Sequence, residues 1–85
     1  MKTIAVVIRA RAPGRVGEAL RAAVGLGLRG DRVEVVLETP ASGDPFVARA
    51  LATLAVLGQP VHQGRDPAAI DRLLRTADAV EIWTG

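Results

Sequence analysis

The chain has no cysteine, no tyrosine, one phenylalanine (Phe46), one tryptophan (Trp83), one histidine (His62) and one lysine (Lys2). Each scarcity excludes something. Without cysteine there is no disulfide and no thiolate to act as nucleophile, sulfur carrier or metal ligand. With a single histidine, no second imidazole completes a metal site, and no metal or cofactor is implied. Two aromatic residues are too few to build the stacking platforms that single-stranded nucleic acids use. No run approaches the roughly 20 apolar residues of a membrane span. Lys2 leads directly into a strand-like segment ending at Arg9, with no cleavage site, so the expected setting is cytoplasmic. The sequence pI is about 10.4, yet the formal net charge is only +2. Little titrates between the carboxylates and arginine, so a small excess of Arg lifts the isoelectric point. Basic residues are interspersed with Asp and Glu rather than gathered in a stripe, so neither nucleic acid nor membrane is an expected partner.

Plentiful aliphatic residues stand in place of these missing groups. Ala, Val, Leu and Ile dominate an apolar fraction of 49%, enough core for one domain over residues 1–85 and far from the composition of disorder. A domain this small buries only about 60–65% of its surface, so burial by self-association is expected. The abundance of Arg and Ala is compatible with a thermophilic source.

Thr3 to Ile8 and Val33 to Leu37 are near-continuous apolar runs, the pattern of parallel strands covered on both faces. Between them, Val16, Leu20, Ala23, Val24 and Gly27 recur at helical spacing over Arg15 to Leu28, and Gly30 suits the residue after a helix end. The dipeptides Asp44-Pro45 and Asp66-Pro67 each set a capping carboxylate before a proline fit for the first helical position. They open helices over Pro45 to Leu57 (burying Val47, Ala50, Leu51, Leu54 and Leu57) and Pro67 to Ala77 (burying Ile70, Leu73, Leu74 and Ala77). Asp71 and Arg75 form an i,i+4 pair on the second. A short strand at Pro60 to His62 and a last one at Ala79 to Trp83 complete β-α-β-α-β-α-β. Right-handed crossovers then predict a three-layer α/β domain, flavodoxin-like, with a four-stranded parallel sheet, helices on both faces and strand order 2-1-3-4.

Residues 13–38 carry a more particular pattern. The run Ala19-Leu-Arg-Ala-Ala-Val-Gly-Leu-Gly-Leu-Arg-Gly30 and the strand Arg32-Val-Glu-Val-Val-Leu-Glu38 follow a first strand and a Pro13-Gly14 turn. This segment resembles the opening of the small α/β proteins of the DsrE/DsrF/DsrH family, the sulfur-relay group that includes TusB/TusC/TusD-related proteins. The ending Ala77-Asp-Ala-Val-Glu-Ile-Trp83 resembles that of the smaller, DsrH-like members. The resemblance implies a sulfur-relay context, in which many members carry a persulfide on a cysteine just beyond the third strand. Here His62 and Gln63 occupy that place, and neither bears a thiol. It also implies assembly, as a dimer or trimer of this chain or with other DsrE-like subunits.

The remaining motifs are weaker. Gly25-Leu-Gly-Leu-Arg-Gly30 fits a GxGxxG expression but lies at the end of a helix, where a phosphate would face the negative end of the dipole. Small residues for close packing, then a cap, account for it. Arg9, Arg11 and Arg15 surround the β1–α1 loop, Arg9-Ala-Arg-Ala-Pro-Gly-Arg15, which has no acidic cap. Ligands of open parallel sheets bind beyond strand C-termini where the strand order reverses. Arg9, Arg11, Gly14 and Arg15 are therefore the candidate site for a small anion, against the simpler reading of a solvated basic loop. Ser42, the only serine, lies in a Pro/Ala/Gly loop, and no Ser/His/Asp set or carboxylate pair suggests catalysis. Trp83 suits a core or interface anchor. The expected function is a non-catalytic, oligomeric binding or accessory subunit that cannot carry a persulfide. The alternative is a small enzyme, or an anion- or nucleotide-phosphate-binding protein, using the arginine loop and His62.

Overall fold

The computed structural model describes residues 1–39, 43–64 and 66–85; Ser42 lies outside the described residues. The element order is β1 (Thr3–Ile8), α1 (Pro13–Leu28), β2 (Arg32–Leu37), α2 (Pro45–Val56), β3 (Val61–Gln63), α3 (Pro67–Thr76) and β4 (Ala79–Trp83). All four strands are parallel, and β1 is central. Val6 lies opposite Val35 of β2 on one flank and Glu81 of β4 on the other. Helices cover both faces, giving the three-layer α/β fold expected from the alternation of strands and helices. None of the helices among the described residues is long and apolar enough to cross a membrane.

The strand order is 3-2-1-4 rather than 2-1-3-4. The physical reason lies in the segment leaving α2. The Gln59 amide accepts from Val33 N–H at 2.9 Å and donates to the Asp31 carbonyl at 3.4 Å, fixing this segment beside the start of β2. Val35 N–H then donates to the Pro60 carbonyl, and Gly64 N–H to that of Leu37, so β3 adds to the outer flank of β2. That leaves the inner flank of β1 for β4. Asp78 closes this junction twice, its carboxylate accepting from Thr3 N–H and its own N–H donating to the Thr3 carbonyl, both at 2.8 Å. A Cβ on Gly27 would lie 3.2 Å from Gln59 Nε2, so the glycine near the end of α1 admits this side chain.

Strand order also decides which face each helix covers. The first two crossovers step the same way, placing α1 and α2 together on one face, whereas the third steps back and carries α3 to the other. Under α1 and α2 the alternate strand residues Ile4, Val6, Ile8, Val33, Val35 and Leu37 pack against Val16, Leu20, Ala23, Val47 and Leu54. Under α3 the buried set is only Ala5, Val7, Val36 and Leu73, with Ile70 and Ala77 half-buried beside it. Leu74 is exposed and Leu57, at the end of α2, is half-buried, although helical spacing placed both in the core. One ten-residue helix cannot cover four strands, and on its face Val80 and Ile82 of β4 stay 41% and 53% exposed.

The helix ends follow the sequence signals. Asp44 accepts from Phe46 and Val47 N–H, Asp66 accepts from Ala69 N–H, and Gly30 and Gly58 adopt φ of +98° and +72° just past α1 and α2. Replacing fully buried Leu54 with Ala removes side-chain volume from the larger core and costs about 2–5 kcal/mol. The same truncation at Val56, 86% exposed in the same helix, leaves stability within about 0.5 kcal/mol. Urea-unfolding midpoints of the two variants measure the difference.

Candidate functional site

The place where the chain's order reverses lies between β1 and β4, so the open end of the sheet there is formed by the β1–α1 loop and the residues after Trp83. The sequence placed three arginines at this loop. The fold sends them three ways. Arg9 leaves the end of β1 toward the α3 face, and its Nε lies 3.0 Å from Glu38, whose side chain is only 6% exposed. Burying a carboxylate that deeply requires a compensating charge, and Arg9 provides one. Arg15 turns the other way. Its guanidinium stacks 4.6 Å from the Trp83 ring centroid, donates from Nε to the Thr84 carbonyl at 3.0 Å and meets Glu18 at 3.2 Å. Arg11 is exposed, and its side chain makes no hydrogen bond or ion pair among the described residues.

At the start of α1, Ala12 gives no side-chain cap, the first turn holds no acidic residue, and Pro13 occupies N1. The first helical bond runs from Val16 N–H to the Ala12 carbonyl, so the amides of Gly14 and Arg15 precede the ladder. Gly14 has no neighbour within 4 Å of an added Cβ, so neither packing nor positive φ requires a glycine there. The carbonyl of Gly85 accepts from Arg11 N–H at 3.0 Å, bringing the segment after β4 against this loop. What remains for an anion is therefore two amides and the Arg11 guanidinium.

On the α3 face, Arg9 and Glu38 line a cleft of about 500 Å³ together with Pro67, Ile70, Asp71 and Leu74. Asp71 is already paired with Arg75 at 3.1 Å, as the i,i+4 spacing predicts. Farther along α3 a second groove, of about 470 Å³, is lined by Glu34, His62, Ala69, Arg72, Leu73 and Thr76. Within it His62 Nε2 lies 3.4 Å from Glu34. A His–carboxylate pair can serve a general base only where it faces a hydroxyl, thiol or bound water to activate. Among the described residues the one hydroxyl lining this groove, that of Thr76, instead donates to the carbonyls of Arg72 and Leu73. Gln63 ends β3 in an exposed position, and Gly64 turns away at φ +87°. The recess beside them is small, about 30 Å³. Among the described residues no three His, Asp or Glu side chains gather as a metal site.

Compared with known proteins, the chain matches no family model, no curated protein and no solved structure.

Two features escaped the sequence reading. Nothing in the sequence marked the Glu38 side chain, at the end of β2, as one that is only 6% exposed. The Arg15–Trp83 stack joins residues 68 positions apart, and only the β1–β4 pairing brings them together. Replacing Arg15 with Ala uncovers the indole and frees the Thr84 carbonyl, so Trp83 fluorescence shifts to longer wavelength and stability falls by about 1 kcal/mol. Arg11→Ala, measured beside it, changes neither.

Proposed function

We propose that this chain is a non-catalytic binding or accessory subunit of the DsrE-like kind, and that it cannot carry a persulfide. The observation that carries this reading is the end of β3. His62-Gln-Gly64 stands where the resemblance puts a sulfur-bearing cysteine, and among the described residues the groove beside it holds a His–Glu pair facing no free hydroxyl. Sulfur transfer needs a thiolate to attack and to be attacked, and this chain contains none. A binding role is supported by the neighbouring apolar side chains Val80 and Ile82, left part-exposed on an open strand.

Incubation with a persulfide donor and a sulfurtransferase, followed by intact-mass measurement, tests the reading. No added sulfur is expected. A stoichiometric gain of one sulfur atom would overturn it.

A second reading, binding of a small anion at the β1–α1 loop, is favoured by the uncapped start of α1 and by Arg11, whose guanidinium has no partner among the described residues. Of the three arginines, Arg11 alone has an uncommitted guanidinium. Arg11→Ala therefore weakens phosphate binding about tenfold by calorimetry, whereas Asp66→Ala at the capped start of α3 leaves it unchanged.

A further inference from the structure

The strand β4 is an edge, and its geometry specifies what can add to it. The Trp83 carbonyl accepts from the N–H groups of Arg9 and Ala10, so the peptide groups of Trp83 point toward β1. Strand residues alternate in direction, so Ala79 and Glu81 point the same way, while the N–H and C=O groups of Val80 and Ile82 point out of the sheet. Their side chains lie on the sparsely covered α3 face. This edge carries no lysine, no proline and no positive-φ residue, and its one charged side chain is Glu81. The opposite edge, β3, has three residues, two of them the polar His62 and Gln63.

We infer that β4 pairs antiparallel with β4 of a second copy of this chain, around a two-fold axis passing at Ile82. A row of outward N–H and C=O groups calls for a strand, and an identical edge supplies the same donors and acceptors in reverse order. Outward-pointing residues must face one another, which leaves three registers, centred on Val80, Glu81 or Ile82. Centring on Glu81 sets that carboxylate directly opposite its own copy, a destabilising pair. Centring on Val80 sets Ile82 opposite the partner's Asp78, an aliphatic against a charge. Centring on Ile82 sets Ile82 against the partner's Ile82, Val80 against the partner's Thr84, and Glu81 against the partner's Trp83. In the last pair the indole N–H, which bonds the Glu81 carboxylate of its own chain at 3.3 Å, also faces the carboxylate across the axis. The inference rests on the binding-subunit reading and names the partner. A five-residue edge buries less than the roughly 800 Å² per partner of a standard interface, so the association is weak and concentration-dependent.

Light scattering coupled to size exclusion, from about 10 to 500 μM, reads the assembly against a chain mass of 8.9 kDa. The expected result is a rise toward twice that mass, abolished by Ile82→Lys and kept by Val56→Lys, a change at a more solvent-facing position on α2. Because the chain has no cysteine, single-cysteine variants report the register. Across the axis the Ile82 Cα atoms lie about 5.5 Å apart, within disulfide reach, whereas the two Glu81 positions are diagonal at about 7–8 Å. Oxidised Ile82→Cys therefore becomes a covalent dimer on a denaturing gel, and Glu81→Cys stays monomeric. A monomer mass at every concentration overturns the inference, as does a dimer that Ile82→Lys leaves intact or that Glu81→Cys links in preference to Ile82→Cys. None of these outcomes touches the sulfur-uptake measurement, so the two readings fail separately.

Discussion

Everything in this fold is referred to β1. From Ile4 to Ile8 each side chain is buried, alternately beneath α1 and α2 on one face and α3 on the other, and both flanks are hydrogen-bonded to neighbouring strands. A strand whose side chains from Ile4 to Ile8 are all apolar and buried satisfies its peptide groups without water by sitting in the middle of a sheet. Its two sides are taken by β2 and β4, and β3 adds to the outer flank of β2. The β1–α1 loop, lying at the end of this strand, then becomes the meeting point of α1 and the segment after β4.

That constraint also explains what the candidate site became. Three arginines close in sequence suggest a concentrated cationic pocket. In the fold, Arg9 leaves from a strand end and Arg15 from the first turn of a helix on the other side of the sheet, so they cannot converge. Each meets a partner made necessary by packing. Arg9 pairs with the little-exposed carboxylate just past β2, and Arg15 covers the indole of the adjoining edge strand. Arg11, between them, is left to solvent.

The alternation of strands and helices was legible because each element announces itself locally: continuous aliphatic runs for β1 and β2, Asp-Pro starts for α2 and α3, glycines past α1 and α2. The flank on which β3 adds was not legible. It depends on one long-range contact, the Gln59 amide against the start of β2, and local periodicity carries no record of it. The exposure of Leu74, Val80 and Ile82 was hidden for a related reason. Helical and strand spacing report which residues share a face, and only the number of elements available decides whether that face is covered. His62 and Gln63, expected just beyond β3, lie inside it, because pairing with Val36 and Leu37 carries the strand on to Gln63 and the chain turns only at Gly64. The Glu34 partner of His62 came only with the β2–β3 pairing.

The two faces of the sheet differ in how firmly they are held. Beneath α1 and α2 the sheet meets interlocked side chains from two helices, whereas α3 is anchored chiefly by Leu73, with Ile70 and Ala77 at its margins. So little apolar contact predicts that α3 opens more readily than β1, its amides exchanging faster than those of the central strand. Lifting α3 exposes Ala5, Val7 and Val36 and removes one wall of the cleft around Glu38, leaving a two-layer intermediate with its larger core intact. The native state is thus graded rather than uniform, rigid on one side of the sheet and compliant on the other.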